Sequence, residues 1–343
     1  MNIKKLASSI IACTLIGAAA PAIEHNAPLT LSASASQSYT EGTYGVLTYR
    51  NYDSYIEISG CDKSATTVDI PASIDGLPVT RIRMVAFYSC SSLTSITIPD
   101  SVTIIGDSAF ELCTSLVSIN IPDTVISVGN CAFEECDSLT NVKFPDNITR
   151  IESGTFMGCE NLTSFAIPES VTLINISAFE KCTGLKSITI PKSVTEIGSS
   201  AFYGCTNLSC ITILNPDCDI ANSAYTIYNT NGGFTGTIFG YADSTAQTYA
   251  EDHGYTFKPL ADIGDVNLDG AVDALDASLV LMEYAASATG KPSVIDSEAK
   301  FNADVNSDGT ADALDASEIL GCYAYKATGG KGSILEFIYN FQR

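Results

Sequence analysis

Residues 86–108 read AFYSCSSLTSITIPDSVTIIGDS, and Ala109-Phe110 then begins the same pattern again. The pair returns at Ala132-Phe133, Thr155-Phe156, Ala178-Phe179 and Ala201-Phe202, a period of 23 residues. Each unit carries a cysteine (Cys90, Cys113, Cys136, Cys159, Cys182, Cys205) and a leucine (Leu93, Leu116, Leu139, Leu162, Leu185, Leu208). An alternating apolar pair such as Ile96 and Ile98 follows, and Pro99, Pro122, Pro145, Pro168 and Pro191 close the first five pairs. A second apolar pair, Val102 with Ile105 in the first unit, leads back to the next Ala-Phe. One such unit cannot bury its own Leu/Ile/Phe face, whereas stacked units share a continuous core at a strand spacing of about 4.8 Å. The expected fold is a mainly β solenoid of 23-residue repeats.

This register resembles the BspA-like leucine-rich repeat family. The resemblance runs upstream through Val68-Asp69-Ile70-Pro71 and Ile74–Val79, a longer unit expected to cap the array, and downstream through Ile238–Tyr241 and Ser244–Ala250. It covers roughly residues 43–260 and leaves the terminal caps to close the solenoid's core. The cysteine column reads as buried free thiols. Equivalent positions in stacked turns hold parallel Cβ atoms about 4.8 Å apart, against about 3.8 Å for bonded cysteines, and thiolate metal ligands must converge on a point while a ladder runs along a line. Cysteine is then a small packed hydrophobe. Whether Cys210 and Cys218, outside the ladder, pair with each other stays open. Strand alternation turns Ser95 and Thr97, Ser118 and Asn120, Asn141 and Lys143, Ser164 and Ala166, Ser187 and Thr189, Cys210 and Thr212 toward solvent. The resemblance implies that this small, polar surface contacts protein or glycan; a plain spacer is the alternative.

The C-terminal quarter changes character. Asp265, Asn267, Asp269, Asp273 and Asp276 stand at positions 1, 3, 5, 9 and 12 of a loop with Gly270 at 6 and the Ala271 carbonyl at 7. Asp304, Asn306, Asp308, Thr310, Asp312 and Asp315 repeat the pattern around Gly309. Alternating oxygen ligands on a tight loop are EF-hand-like calcium chemistry. A helix is expected after each loop, with Leu279, Val280 and Tyr284 in one and Ile319, Leu320 and Tyr323 in the other; no helical pattern leads into either loop. The doubled signature, 39 residues apart, with Asp at position 12, resembles a type I dockerin over about residues 262–343. That resemblance implies a small all-α module binding two calcium ions and docking into a cohesin domain of a scaffoldin. It also assigns the cohesin contacts to the residues between positions 9 and 12, here Ala274, Leu275, Ala313 and Leu314. The identical stretch Asp-Ala-Leu-Asp-Ala-Ser in both halves makes two binding orientations plausible.

Composition narrows the function. The 343 residues carry a net charge of −22, which opposes nucleic acid and anionic membranes. Two histidines and no tryptophan leave little material for acid/base or sugar-stacking sites. Residues 1–22, with Lys4-Lys5, an apolar run to Ala20 and Ala18-Ala19-Ala20-Pro21-Ala22, read as a secretory signal. Cleavage after Ala22 competes with cleavage near Ala35. Ile11-Ala12-Cys13 only loosely matches a lipidation box. No His-Glu-x-x-His, Gly-x-Ser-x-Gly or phosphate loop occurs. The expectation is a secreted, non-catalytic cellulosome subunit held at the cell surface through its scaffold. The alternatives are a polysaccharide-degrading hydrolase subunit and a scaffold-borne adhesin.

Overall fold

The computed structural model describes residues 38–229, 233–260, 263–267, 269, 271–295, 297–306, 310–331, 334 and 337–338. The expected signal sequence with Cys13 and Ala35, and loop residues Gly270, Asp308 and Gly309, lie outside them. The fold is a β-solenoid of about nine turns followed by three helices. Contacts divide it into two compact units, one ending at Leu162 and including Ile174–Cys182, the other comprising Thr163–Leu173 and everything from Thr183.

The first unit opens with an antiparallel meander that the repeat pattern does not foretell: Thr40–Tyr44, Leu47–Asn51 and Ile56–Cys61. Its third strand pairs in parallel with Leu77–Ile82, and the ladder continues through Ile104–Ile105 to Ser127–Val128. A second parallel ladder runs through Thr67–Asp69, Ser95–Thr97, Ser118–Asn120 and Asn141–Lys143. Here the alternation is as expected: Ser95 and Thr97 are exposed around buried Ile96, and Ser118 and Asn120 around buried Ile119.

A third ladder forms at the Ala-Phe corner. Alternate amides donate to the next turn, from Val85, Phe87 and Ser89 to the Asp107, Ala109 and Glu111 carbonyls, and again from Ser108, Phe110 and Leu112 to Asn130, Ala132 and Glu134. The corner residues before and after each pair adopt left-handed backbone: Val85 and Ser89 (φ 55° and 57°), Ser108 and Leu112 (53° and 63°), Cys131 and Glu135 (52° and 53°). Non-glycine residues at such angles carry local strain. The inter-turn hydrogen bonds fix it, because turning the residue back would break the ladder.

Beneath the corner the phenylalanines stack. Successive centroids of Phe87, Phe110, Phe133, Phe156 and Phe179 lie 5.0, 5.3, 5.6 and 5.5 Å apart, with rings at most 17° from parallel. The six ladder cysteines are free thiols, as are Cys210 and Cys218. The ladder does more than pack. The thiols of Cys113, Cys136, Cys159 and Cys182 donate to the carbonyls of Phe87, Phe110, Phe133 and Phe156 in the preceding turn, at 3.1–3.2 Å. Each of those carbonyls also accepts the amide of its own turn's cysteine, so both its lone-pair directions are used.

In the second unit, Ser187–Ile190, Cys210–Ile213, Thr237–Gly240 and Thr256–Pro259 form a parallel sheet. Helix α1 (Thr245–His253) is capped by the Ser244 side chain and ends at left-handed Gly254 (φ 68°). Helices α2 (Ala274–Ala288), α3 (Ser297–Ala303) and α4 (Ala313–Ala327) follow. The expected solvent-facing pair Cys210 and Thr212 is buried instead, 7% and 3% exposed. Cys210, Leu214, Phe239 and Leu260 form one apolar cluster with Ile263, Val266, Val280, Ile319 and Ile334. The helical segment therefore packs on the outward face of the last strands.

Candidate metal loops and docking face

Each loop is tied to the helix behind it by one aspartate. Asp273 caps α2, its Oδ1 accepting the Leu275 amide at 2.7 Å, while Asp276 reaches back to the Asp273 amide at 2.8 Å. This capping box satisfies N–H groups that a helix start leaves unbonded. The other oxygen of Asp276 accepts the amides of Val266 and Asn267 at 2.7 and 3.0 Å, at the opposite end of the loop. Asp312 and Asp315 repeat the arrangement on α4: Asp315 Oδ1 accepts Val305 and Asn306, and Oδ2 accepts Asp312. Asp276 and Asp315 are fully buried. Each position-12 carboxylate thus holds both ends of its loop and the first turn of its helix.

The early loop positions turn their oxygens inward. Asp265 Oδ1 and Asn267 Oδ1 both accept the Asp269 amide, at 3.1 and 2.9 Å, and Asp269 Oδ1 accepts that of Ala271. Asn302 fastens the loop's start by donating to the Asp265 carbonyl at 2.9 Å. Among the described residues no three acidic, histidine or cysteine side chains meet on a metal-sized point; backbone amides occupy these oxygens. The donor set is oxygen only, on a loop with a left-handed Gly264 (φ 86°) at its entrance, which fits a hard cation such as calcium and not zinc. Asp308 lies outside the described residues. One expectation needs correction, because α3 leads directly into the second loop at Asp304. At seven residues it is too short to show a periodic pattern.

The residues expected to meet a partner are at the surface. Leu275 and Leu314 are 62% and 53% exposed, with Ala274 and Ala313 exposed beside them. Further along the same helices, Leu281, Met282, Tyr284, Leu320 and Tyr323 are also exposed. Tyr284, Leu320 and Tyr323 look like core residues in the sequence, yet Val280 and Glu283 on one helix and Ile319 and Cys322 on the other are the side chains that those turns bury. With Met282 matched by Gly321, the exposed sets of the two helices are otherwise equivalent at the 39-residue offset.

The family description "BspA type Leucine rich repeat region" matches residues 80–209 and 150–230 in six copies, and "Dockerin type I domain" matches residues 263–320. The chain carries BspA-type leucine-rich repeats and a type I dockerin. Neither family is catalytic, and type I dockerins bind calcium. Among solved structures the chain is similar to the leucine rich repeat protein of T. pallidum, at 28% identity over 64% of this chain and 98% of that one, with a TM-score of 0.48. A leucine rich cell surface protein from Faecalibacterium prausnitzii matches at 32% identity over 52% and 56% of the two chains, with a TM-score of 0.42. A leucine-rich repeat protein from Bacteroides ovatus matches at 25% identity over 59% and 69%, with a TM-score of 0.32. No curated protein matches.

One residue that sequence reasoning missed stabilises the dockerin. Glu283 on α2 accepts the Ser293 hydroxyl at 2.8 Å, the Val294 amide at 2.7 Å and Lys300 of α3 at 3.0 Å. Burial raises its pKa, but these donors outweigh burial and hold the carboxyl below its usual value. A glutamate inside an otherwise apolar helix stretch, seven residues after Asp276, was the available signal. No described helix is long and apolar enough to cross a membrane.

Proposed function

We propose that the protein is a secreted, non-catalytic subunit of a cellulosome-type assembly. The dockerin, residues 262–343, binds a scaffoldin cohesin, and the solenoid, residues 43–260, serves recognition or spacing at the cell surface after removal of a signal sequence ending near residue 22. Asp265, Asn267, Asp269, the Ala271 carbonyl, Asp273 and Asp276 would hold one calcium ion, and Asp304, Asn306, Asp308, the Thr310 carbonyl, Asp312 and Asp315 a second. Bound calcium would offset charge where each loop gathers four aspartates; the module has fourteen acidic residues against five basic ones. The observation that carries the reading is the pair of capped loop-helix units, each presenting an exposed leucine one residue before its buried position-12 aspartate. Leu275 and Leu314 place an apolar anchor at the cohesin contact, so the matching cohesin has an apolar pocket there. A panel of cohesins screened against the full chain with calcium and with EDTA tests this: capture by one cohesin group only in calcium is expected, and undiminished capture in EDTA would refute the calcium-dependent assignment.

A further inference from the structure

The outer face of the meander and the first repeats carries a row unlike the bland column on the other ladder. Arg50, Glu57, Arg81, Ile104 and Ser127 stand in hydrogen-bonded register on five adjacent strands. Their neighbours Ile58, Ile82 and Ile105 are buried, so by strand alternation this row faces outward. The next outward column continues with Arg83, Gly106 and Gly129, whose amides still donate to the preceding turn. Two consecutive glycines leave that column without side chains. Neither accepts one readily: an added Cβ would lie 2.5 Å from the Met84 nitrogen at Gly106 and 2.4 Å from Asp107 Oδ1 at Gly129. Farther along, Glu152 and Asn175 fill the column and hydrogen-bond to each other at 3.1 Å. The result is an open groove of about 460 Å³, bounded by Arg50, Glu57, Arg83, Met84, Asp107 and Ser127.

Its charged walls are held in place. Arg50 lies 3.6 Å from Glu41 and 4.1 Å over the Tyr39 ring. Arg83 lies 3.8 Å from Glu57, which also accepts the Tyr52 hydroxyl at 3.3 Å, and Asp107 accepts the Asn130 amide at 2.8 Å. Two guanidiniums and two carboxylates give the groove no net charge in a chain of −22. An anionic ligand would meet Glu57 and Asp107, and a cationic one Arg50 and Arg83. An apolar segment would cover four charges without replacing the water bonded to them. What fits is a neutral ligand whose neighbouring groups both accept and donate, as adjacent hydroxyls do: one accepts from an arginine while the next donates to a carboxylate. Half-exposed Met84 supplies an apolar edge for the C–H face of a ring.

We propose that this groove binds a neutral oligosaccharide chain. The proposal rests on reading the solenoid as a recognition element and is independent of the dockerin's partner. Isothermal titration of the full chain with cellohexaose, xylohexaose and mannohexaose tests it, with an oligogalacturonate and a mixed peptide library as comparisons. At least one neutral hexasaccharide should bind, and Ser127→Arg, which places a long side chain across the groove, should weaken it tenfold or more with unchanged circular dichroism. Asp107→Asn, which removes the carboxylate charge while keeping an oxygen acceptor, should weaken it severalfold and provides a second measure should Ser127→Arg not fold. Cohesin capture should be unaltered in both variants, so failure here is distinguishable from failure of the dockerin assignment. No heat from any neutral hexasaccharide at millimolar concentration, equal affinity in both variants, or capture of charged oligomers or peptides alone would overturn the proposal.

Discussion

Replacing Cys136 separates two roles that its column position leaves confounded. The residue is fully buried, and its thiol donates to Phe110 O at 3.2 Å. Cys136→Ala removes one large atom from a packed site, costing about 1 kcal/mol by analogy with single-methyl deletions. It also leaves the Phe110 carbonyl with one of its two bonds, since the Cys113 amide remains at 3.1 Å; that adds about 0.5–1 kcal/mol. The alanine variant should therefore lose about 1.5–2 kcal/mol. Cys136→Ser keeps a donor aimed at the same carbonyl and should lose less than alanine. If the sulfur acts only as a hydrophobe, the order reverses, because a buried hydroxyl without a partner costs about 1–3 kcal/mol. Urea unfolding of the full chain, followed by far-UV circular dichroism, measures both variants. A serine variant less stable than the alanine variant would refute the hydrogen-bond account of the ladder.

Three further outcomes are expected. Burial pushes the Cys113 thiol up to about 12, and the Cys136 and Cys159 thiols also rise well above their ordinary value; iodoacetamide at pH 8 should leave these three unmodified in the native chain and alkylate all six ladder cysteines once it is denatured without reductant, as mass spectrometry will read. The lowered pKa of Glu283 means that its stabilisation is present above the unfolded carboxyl value near pH 4.3 and is lost as pH falls through the folded value. Glu283→Gln should therefore cost about 1–3 kcal/mol at neutral pH, mostly through the Val294 and Ser293 bonds because Lys300 is half exposed, with the gap to wild type closing below about pH 4 in urea titrations. Phe133→Ala, which opens a cavity between two stacked rings, should cost about 3–5 kcal/mol in the same unfolding assay, and a loss below about 1 kcal/mol would show that the stack does not hold the core.

The solenoid was legible because its core columns repeat: Phe, Cys, Leu and the Ile pairs recur at a spacing that only stacking can use. What repeats without an apolar signature was not legible. Val85, Leu112 and Cys131 carry left-handed backbone that their side chains do not advertise; the carbonyls of the following turn impose it. The cysteine donors were hidden for the same reason, since a thiol's partner is a backbone atom whose position only the fold supplies. Residues 40–61 have no repeat to read and form their meander by pairing with the first regular turn. Cys210 and Thr212 obey strand alternation, but the helical segment covers the face on which alternation puts them. In the dockerin the loop residues follow the spacing, whereas the exposure of Leu281, Tyr284, Leu320 and Tyr323 depends on how α2 and α4 pack.

The position-12 aspartate links local chain geometry to the docking surface. Asp276 closes a capping box three residues from Asp273 with one carboxylate oxygen while the other accepts Val266 and Asn267 across the loop. Because the Leu275 amide is itself bonded to the cap residue, the exposed leucine stands on the segment that this carboxylate organises. Loop closure, helix start and the orientation of Leu275 are thus one local equilibrium, repeated at Asp315 and Leu314. A ligand that holds the loop oxygens together adds its free energy to all three at once. The same coupling reaches inward: Val266, whose amide bonds Asp276, is buried in the cluster that contains Cys210, Leu214 and Phe239. Ordering the first loop should therefore stabilise the last solenoid strands as well as the docking face.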